Sequence, residues 1–134
     1  MTTAFKWSLR SRNEMKDIHP DLRKVVDRAL ALSPYDFIIT DGKRSIAEQR
    51  KHVANGASKT MNSRHLYGVA IDYVALVGGK ARYELAYMKA IAVAFMQASK
   101  ELKIPIKWGG DWKSFKDTPH IELDRKKYPD GKKS

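Results

Sequence analysis

The fold is decided by residues 63–82, SRHLYGVAIDYVALVGGKAR, in which a polar segment leads through a glycine into an apolar run. Residues 69–77 are rich in β-branched and aromatic side chains, which is typical of a strand. The run ends at Gly78 and Gly79, a pair that favours a tight turn. We therefore predict a hairpin whose second strand returns through residues 80–82.

Helices and further strands are predicted on both sides of this hairpin. Apolar residues recur at helical spacing in two segments, and the Ser45 and Glu48 pair has the spacing of a capping box at the start of a third. The predicted helices cover residues 20–32, 45–56 and 83–102. Further strands are predicted at 36–40, 104–108 and 119–123, with Pro105 at a strand start or an edge because it cannot donate to a ladder.

The length and composition favour one globular domain. The chain has 134 residues, of which 43% are hydrophobic and 31% are charged. A chain of this size can bury a core without disulfides. We expect a compact α+β fold with a small, mainly antiparallel sheet, forming a single catalytic domain over 1–134. Its core is predicted to span about 20–123, with a basic C-terminal tail over 124–134.

The composition also excludes several classes of site. Because the chain has no cysteine, thiolate metal sites and cysteine nucleophiles are ruled out. No apolar run is long enough for a signal peptide or a membrane span, so we expect synthesis in the cytoplasm. The net charge of +11 favours polyanionic partners, which include nucleic acid and anionic cell-wall polymers.

Two of the four histidines stand next to features that indicate a metal site. His65 precedes Gly68, which permits a tight turn, and Asp72 follows in the predicted strand. His120 begins the last predicted strand, so the three side chains would converge if the two strands pair. Two histidines and one carboxylate form a common catalytic zinc set that leaves a position for water. A structural role for lone histidines is the alternative, and His19 and His52 are interpreted as surface or capping residues.

Residues 63–72 match the signature S-x-H-x-x-G-x-A-x-D. This segment resembles the VanY-like zinc D,D-carboxypeptidases and their L-alanyl-D-glutamate endopeptidase relatives. The segment 117–123, DTPHIEL, is similar to the closing motif of that family, and the segment 42–45, GKRS, followed by Gln49, is similar to an upstream motif. The segments 33–37 and 108–112 favour the branch of small phage endolysins that act on Gram-negative hosts.

The resemblance implies a set of roles around Zn²⁺. His65, Asp72 and His120 would hold the ion, and Asp117 would be the general base. Glu122 competes for that role, although we favour it as a partner that orients the imidazole of His120. The resemblance also implies that Arg44 holds a developing oxyanion or a substrate carboxylate. The remaining candidates for substrate binding or for supporting the site are Ser63, Gln49, Trp108, Asp111 and Trp112.

The function implied is hydrolysis of the L-Ala–D-Glu bond in the stem peptide of peptidoglycan, without a covalent enzyme intermediate. The protein would act as a monomer and wait in the host cytoplasm until a membrane pore released it to the periplasm. The basic surface would bind anionic wall or outer-membrane components. Two alternatives stay open at this point: a D-Ala-D-Ala carboxypeptidase, and a basic nucleic-acid-binding protein, for which no binding motif is visible.

Overall fold

A computed structural model describes residues 5–56, 63–111 and 117–129. The predicted α+β class is confirmed, and the predicted helices and strands are present with small shifts at their ends. In chain order the elements are α1 (Leu9–Glu14), α2 (Pro20–Leu32), β1 (Asp36–Asp41), α3 (Ile46–Ala54), the 3-10 turn η1 (Arg64–Tyr67), β2 (Ala70–Val77), β3 (Lys80–Arg82), α4 (Leu85–Leu102), β4 (Ile106–Trp108), the 3-10 turn η2 (Gly109–Asp111) and β5 (His120–Leu123).

The strands form one antiparallel sheet. Its order is β1-β2-β5-β4, and β3 pairs with the end of β2 as the predicted hairpin. Pro105 comes just before β4, which lies at an edge of the sheet, as its missing N–H requires. The central strand β2 therefore has neighbours on both sides, and β5 reaches it only after the chain has passed through α4.

Alternation along β2 and β5 separates the two faces of the sheet. On one face, Ile71, Tyr73, Ile121 and Leu123 are fully buried and join apolar residues of α2 and α4 in the hydrophobic core. Burial of each such side chain contributes about 1.5–3 kcal/mol. Because successive side chains on a strand point to opposite faces, the intervening polar residues of β2 and β5 lie together on the other face.

The longest helix, α4, is fixed at its C-terminal end by a left-handed residue. Lys103 has φ 58°, and the backbone N–H of Ile104 donates to the carbonyl of Ser99. The Ser99 hydroxyl in turn donates to the carbonyl of Ile104 at 2.6 Å. The described segments contain no helix whose length and apolar character would allow it to cross a membrane.

The hydrophobic core also includes residues outside 20–123. Met15 and Ile18 are buried in it, and Tyr128 packs against it. The helix α1, which the sequence analysis did not predict, packs on β1, where the hydroxyl of Ser11 accepts from the N–H of Ile39 at 3.0 Å. Because α1 is a short polar helix without an apolar stripe, its contribution to the fold depends on tertiary contacts.

Candidate metal centre

Asp72 and His120 are brought together by the register of the sheet. The two residues are direct partners in the antiparallel pairing of β2 with β5. The register is continued beyond them by a hydrogen bond from the N–H of Tyr73 to the carbonyl of Pro119 at 2.9 Å. As a result, Asp72 Oδ1 lies 3.4 Å from Nδ1 of His120. The predicted convergence of these two strands is confirmed.

His65 approaches the same carboxylate from the turn η1. Ser63 caps this turn by accepting from the N–H of His65 at 3.2 Å, and Gly68 ends it with φ 70°. A side chain at Gly68 would meet the carbonyl oxygen of Asp17 at 2.9 Å, so the position requires glycine for its conformation and for space. His65 Nε2 then lies 3.3 Å from Asp72 Oδ1.

The outer ring nitrogens of both histidines are held by acceptors. Nδ1 of His65 is 2.8 Å from the carbonyl oxygen of Gly42, which can only accept, so this nitrogen carries the proton. Nε2 of His120 is 2.8 Å from Glu122 Oε1, a carboxylate oxygen that favours the same arrangement. When both rings are neutral, as metal binding requires, their lone pairs lie on His65 Nε2 and His120 Nδ1, and both nitrogens face Asp72.

The three side chains have the chemistry and spacing of a metal site. One ligand atom from each of His65, Asp72 and His120 lies within 4.8 Å of the others. Asp72 Oδ1 is buried, and no residue in the described part of the chain donates it a hydrogen bond of good geometry. A buried acceptor facing two imidazole lone pairs is satisfied by a cation, so the group can hold a divalent metal ion.

The charges within this group shift its proton equilibria. Burial alone would raise the pKa of Asp72, but the neighbouring His65 and His120 outweigh it and hold that pKa far below its usual value. For His120, burial opposes the charged ring, whereas contacts with Asp72 and Glu122 raise its pKa to about 9. Without a cation, therefore, the carboxylate is charged and His120 retains a proton near neutral pH.

Arg44 contacts the second oxygen of Asp72. Its Nη2 lies 3.5 Å from Asp72 Oδ2, its Nη1 donates to Gln49 Oε1 at 2.9 Å, and its Nε donates to Asp41. Gln49 is fully buried on α3, whose predicted capping box between Ser45 and Glu48 is present. The guanidinium is thus fixed by three side chains beside the metal centre.

Glu122 lies on the same face of β5 as His120, as predicted. Besides its contact with His120, its Oε2 lies 3.4 Å from Nε of Arg64 and 3.5 Å from Nε of Arg125. Burial raises the pKa of Glu122, but the neighbouring His120 and the two arginines outweigh it, so the net shift is downward. Glu122 is therefore a charged group bonded to a candidate ligand.

Asp117 lies in a turn that ends at His120. The N–H of His120 donates to the Asp117 carbonyl at 3.0 Å, and the N–H of Asp117 donates to the Gly109 carbonyl at 3.0 Å. A Cβ at Gly109 would meet the Asp117 carbonyl at 2.2 Å, so only glycine allows this approach. Trp108 is buried and donates from its indole to the Thr118 carbonyl at 2.8 Å, which fixes the same turn.

The chain as a whole matches a known family of proteins. The family model of the phage L-alanyl-D-glutamate peptidases matches residues 3–133. The chain belongs to this family. It is 39% identical over 132 residues to the L-alanyl-D-glutamate peptidase of Escherichia phage T5, with 96% of each chain covered. The resemblance stated from the sequence motifs is therefore confirmed.

Two further relatives extend the family assignment to bacterial proteins. The peptidoglycan L-alanyl-D-glutamate endopeptidase CwlK of Bacillus subtilis is 33% identical over 125 residues, which cover 80% of this chain and 74% of CwlK. The crystal structure of the Serratia marcescens L-Ala D-Glu endopeptidase ChiX matches with a TM-score of 0.87 and 41% identity, over 94% of this chain and 95% of ChiX. The ChiX match confirms the α+β architecture as that of the family.

Two candidates remain, Asp111 and Trp112. Asp111 is exposed at the end of η2, and Trp112 lies outside the described residues. His19 caps α2 by accepting from the N–H of Asp21, the role expected for it. The sequence analysis did not single out two residues that contact the site. Asp41 directly follows the predicted strand 36–40, and Arg64 occupies an unspecified position of the 63–72 motif.

Proposed function

We propose that this protein is a zinc-dependent peptidase that hydrolyses the L-Ala–D-Glu amide bond of the peptidoglycan stem peptide. One observation carries the proposal: in a member of the phage L-alanyl-D-glutamate peptidase family, the ligand atoms of His65, Asp72 and His120 face one another within 4.8 Å. Two imidazoles and a carboxylate form a typical catalytic zinc set. Other divalent ions can bind such a set, so the metal is to be measured.

Bound zinc would supply Lewis acidity to the scissile carbonyl and lower the pKa of a water molecule. The protein itself must then accept the proton of the attacking water. We assign this step to the carboxylate of Asp117, because the turn that ends at His120 holds this residue beside the metal centre. The same carboxyl group then passes the proton to the nitrogen of the departing D-Glu residue, and no covalent enzyme intermediate forms.

The surroundings of Asp117 suit a general base. Burial raises its pKa above the usual value, and the negative charge of Asp72 raises it further. A carboxylate with a raised pKa binds a proton more strongly than a solvated one and still releases it to an amine. Glu122 is the weaker candidate for the base, since its carboxylate is already bonded to His120 and paired with arginines.

Arg44 and the remaining candidate residues are assigned supporting roles. We propose that Arg44 steadies negative charge at the reacting carbonyl or holds Asp72 in place, and its contacts with Asp41, Gln49 and Asp72 favour the second role. Ser63 and Trp108 hold the backbone around the ligands. Asp111 and Trp112 are proposed to contact the peptide substrate.

The proposed setting follows from the likeness to the phage enzyme. The protein would remain in the host cytoplasm as a monomer until a membrane lesion gave it access to the periplasm and the wall. Its net charge of +11 would attract anionic wall or outer-membrane components, and added salt would weaken that attraction. No nucleic acid is proposed as a partner, since no binding motif accompanies the charge.

Identification of the reaction products tests the proposed function. Purified protein loaded with zinc is incubated with peptidoglycan and with purified muropeptides, and the products are identified by mass spectrometry. We expect fragments in which L-Ala is the last residue on the muramyl side and D-Glu has a new free amine. Asp72→Asn serves as the inactive control. Release of free D-Ala would support the carboxypeptidase alternative, and unaltered substrates would overturn both.

A further inference from the structure

Arg64 is a buried cation that contacts Glu122, the partner of the candidate ligand His120. Its side chain is 2% exposed, and its Nη2 donates to the carbonyl of Leu123 at 2.8 Å, which anchors the guanidinium to the end of β5. From this position its Nε lies 3.4 Å from Glu122 Oε2. The other oxygen of Glu122 contacts Nε2 of His120 at 2.8 Å. A continuous series of contacts therefore leads from Arg64 through Glu122 to a candidate ligand.

This series determines which nitrogen His120 offers to a cation. Because Glu122 holds Nε2, only Nδ1 faces Asp72, at 3.4 Å from its Oδ1. The Glu122 carboxylate is itself buried, and a buried charge without a partner is strongly disfavoured. If Arg64 were absent, the side chain of Glu122 would be free to turn away from the end of β5 toward solvent, and its contact with Nε2 of His120 would be lost or displaced.

We propose that Arg64 is a positioning residue for the metal, acting through Glu122 and His120. The inference rests on the proposed function, in which His120 is a metal ligand. Because Arg64 contacts Glu122, and Glu122 contacts Nε2 of His120, the effect of Arg64 is exerted on the orientation of the His120 ring. Residues that orient metal-bound histidines in this way typically change metal affinity by about 10–100-fold when they are replaced.

Arg125 provides a matched control within the same structure. It approaches the same oxygen of Glu122 at 3.5 Å, almost the distance of Arg64, but its side chain is 60% exposed. Water screens an exposed pair, and such pairs contribute little. If the charge near Glu122 were sufficient, loss of either arginine would have the same effect. If burial and anchoring matter, only the loss of Arg64 weakens metal binding.

The experiment measures the zinc dissociation constant of the metal-free protein by competition with a chromophoric chelator. The wild type is compared with Arg64→Met, Arg64→Lys, Arg125→Met and Glu122→Gln, and the melting temperature of each metal-free protein is recorded. We expect the dissociation constant to rise about 10–100-fold for Arg64→Met and about tenfold for Glu122→Gln. Arg64→Lys should recover part of the loss, and Arg125→Met should change it less than about fivefold.

Equal zinc affinities for Arg64→Met and Arg125→Met would overturn the proposal. If Arg64→Met does not fold, the decision passes to Arg64→Lys and Glu122→Gln, and wild-type affinity in both would also overturn it. The proposed function fails in a different way. A wild type that binds no zinc or cuts no stem peptide contradicts the function, whereas a wild type that does both, with unchanged Arg64 variants, contradicts only the inference about Arg64.

Discussion

Arg44 and Arg64 contact different residues at the candidate metal centre, and both are buried beside a carboxylate. Arg44 contacts Asp72, which is itself a candidate ligand, whereas Arg64 contacts Glu122, which reaches the centre only through His120. We call these the Arg44 arm and the Arg64 arm. The first arm acts on the charge of a ligand directly, and the second acts on which nitrogen a ligand presents.

The difference shows that one site can be supported by contacts of two kinds. In the Arg44 arm the cation holds one carboxylate oxygen, Asp72 Oδ2, at 3.5 Å, while the other oxygen faces the two histidines. In the Arg64 arm the cation contacts Glu122, and its role is to hold that carboxylate in place against His120. The account is therefore tested by variants that change the proton transfer, the charge beside Asp72 or the orientation of His120 one at a time.

The largest effect on turnover is expected for Asp117, which belongs to neither arm. Asp117→Asn removes the proposed base and keeps a side chain of similar size. We expect kcat to fall about 10²–10⁴-fold, with nearly unchanged zinc affinity because both arms are intact. The value of kcat is measured from the rate of product formation on purified muropeptides. The zinc affinity is measured by competition with a chelator. Wild-type turnover in this variant would exclude Asp117 as the base and favour Glu122 in that role.

A smaller effect is expected for Arg44→Lys. Lysine keeps the charge but cannot contact Asp41, Gln49 and Asp72 at once, because it lacks the planar fork of arginine. We expect kcat to fall about 10²-fold and zinc affinity to fall about tenfold. If kcat falls while zinc affinity is unchanged, Arg44 acts on the reacting carbonyl and the description of the Arg44 arm is wrong.

The pH dependence of zinc binding tests the Arg64 arm. Because the pKa of His120 is raised to about 9, the metal-free ring keeps its proton at neutral pH and zinc must displace it. Zinc affinity should therefore increase about tenfold per pH unit as the pH rises toward 9, and level off above it. In Glu122→Gln the rise should level off at a lower pH, since the neutral amide stabilises the imidazolium less. A flat profile below pH 9 would contradict this.

The smallest effect on activity is expected on the opposite face of the sheet. Tyr73 is next to Asp72 in sequence, but its hydroxyl donates to the carbonyl of Met88 in the core at 2.7 Å. Tyr73→Phe should reduce the free energy of unfolding by about 1 kcal/mol, because one buried hydrogen bond is lost. Zinc affinity and kcat should stay at their wild-type values. A loss of zinc binding would mean that the core face of the sheet affects the metal centre on the other face. Neither the Arg44 arm nor the Arg64 arm explains such an effect.

Much of this site was predictable because its residues lie in segments with strong local patterns. Gly68 marked the turn before β2, and the alternation of β2 and β5 fixed which side chains share a face. The motifs at 63–72 and 117–123 each contain one of the two histidines. The pairing of Asp72 with His120 was a prediction about two strands, and the sheet register confirmed it.

The supporting residues were harder to predict because their contacts are distant in the chain. Arg64 reaches Leu123 across 59 positions, and nothing in the sequence near either residue indicates that contact. Trp108 was considered for substrate contact, but its indole fixes the turn that carries Asp117. The polar helix α1 lacks an apolar stripe, so only its packing on β1 reveals its role.

The account depends most on how the three ligands meet a metal, and anomalous diffraction from crystals of the zinc-loaded protein measures this directly. We predict one strong peak about 2.0–2.2 Å from Nε2 of His65, Nδ1 of His120 and a carboxylate oxygen of Asp72. Glu122 should remain bonded to Nε2 of His120 in the same crystals. A peak elsewhere, or coordination through Nε2 of His120, would contradict the account.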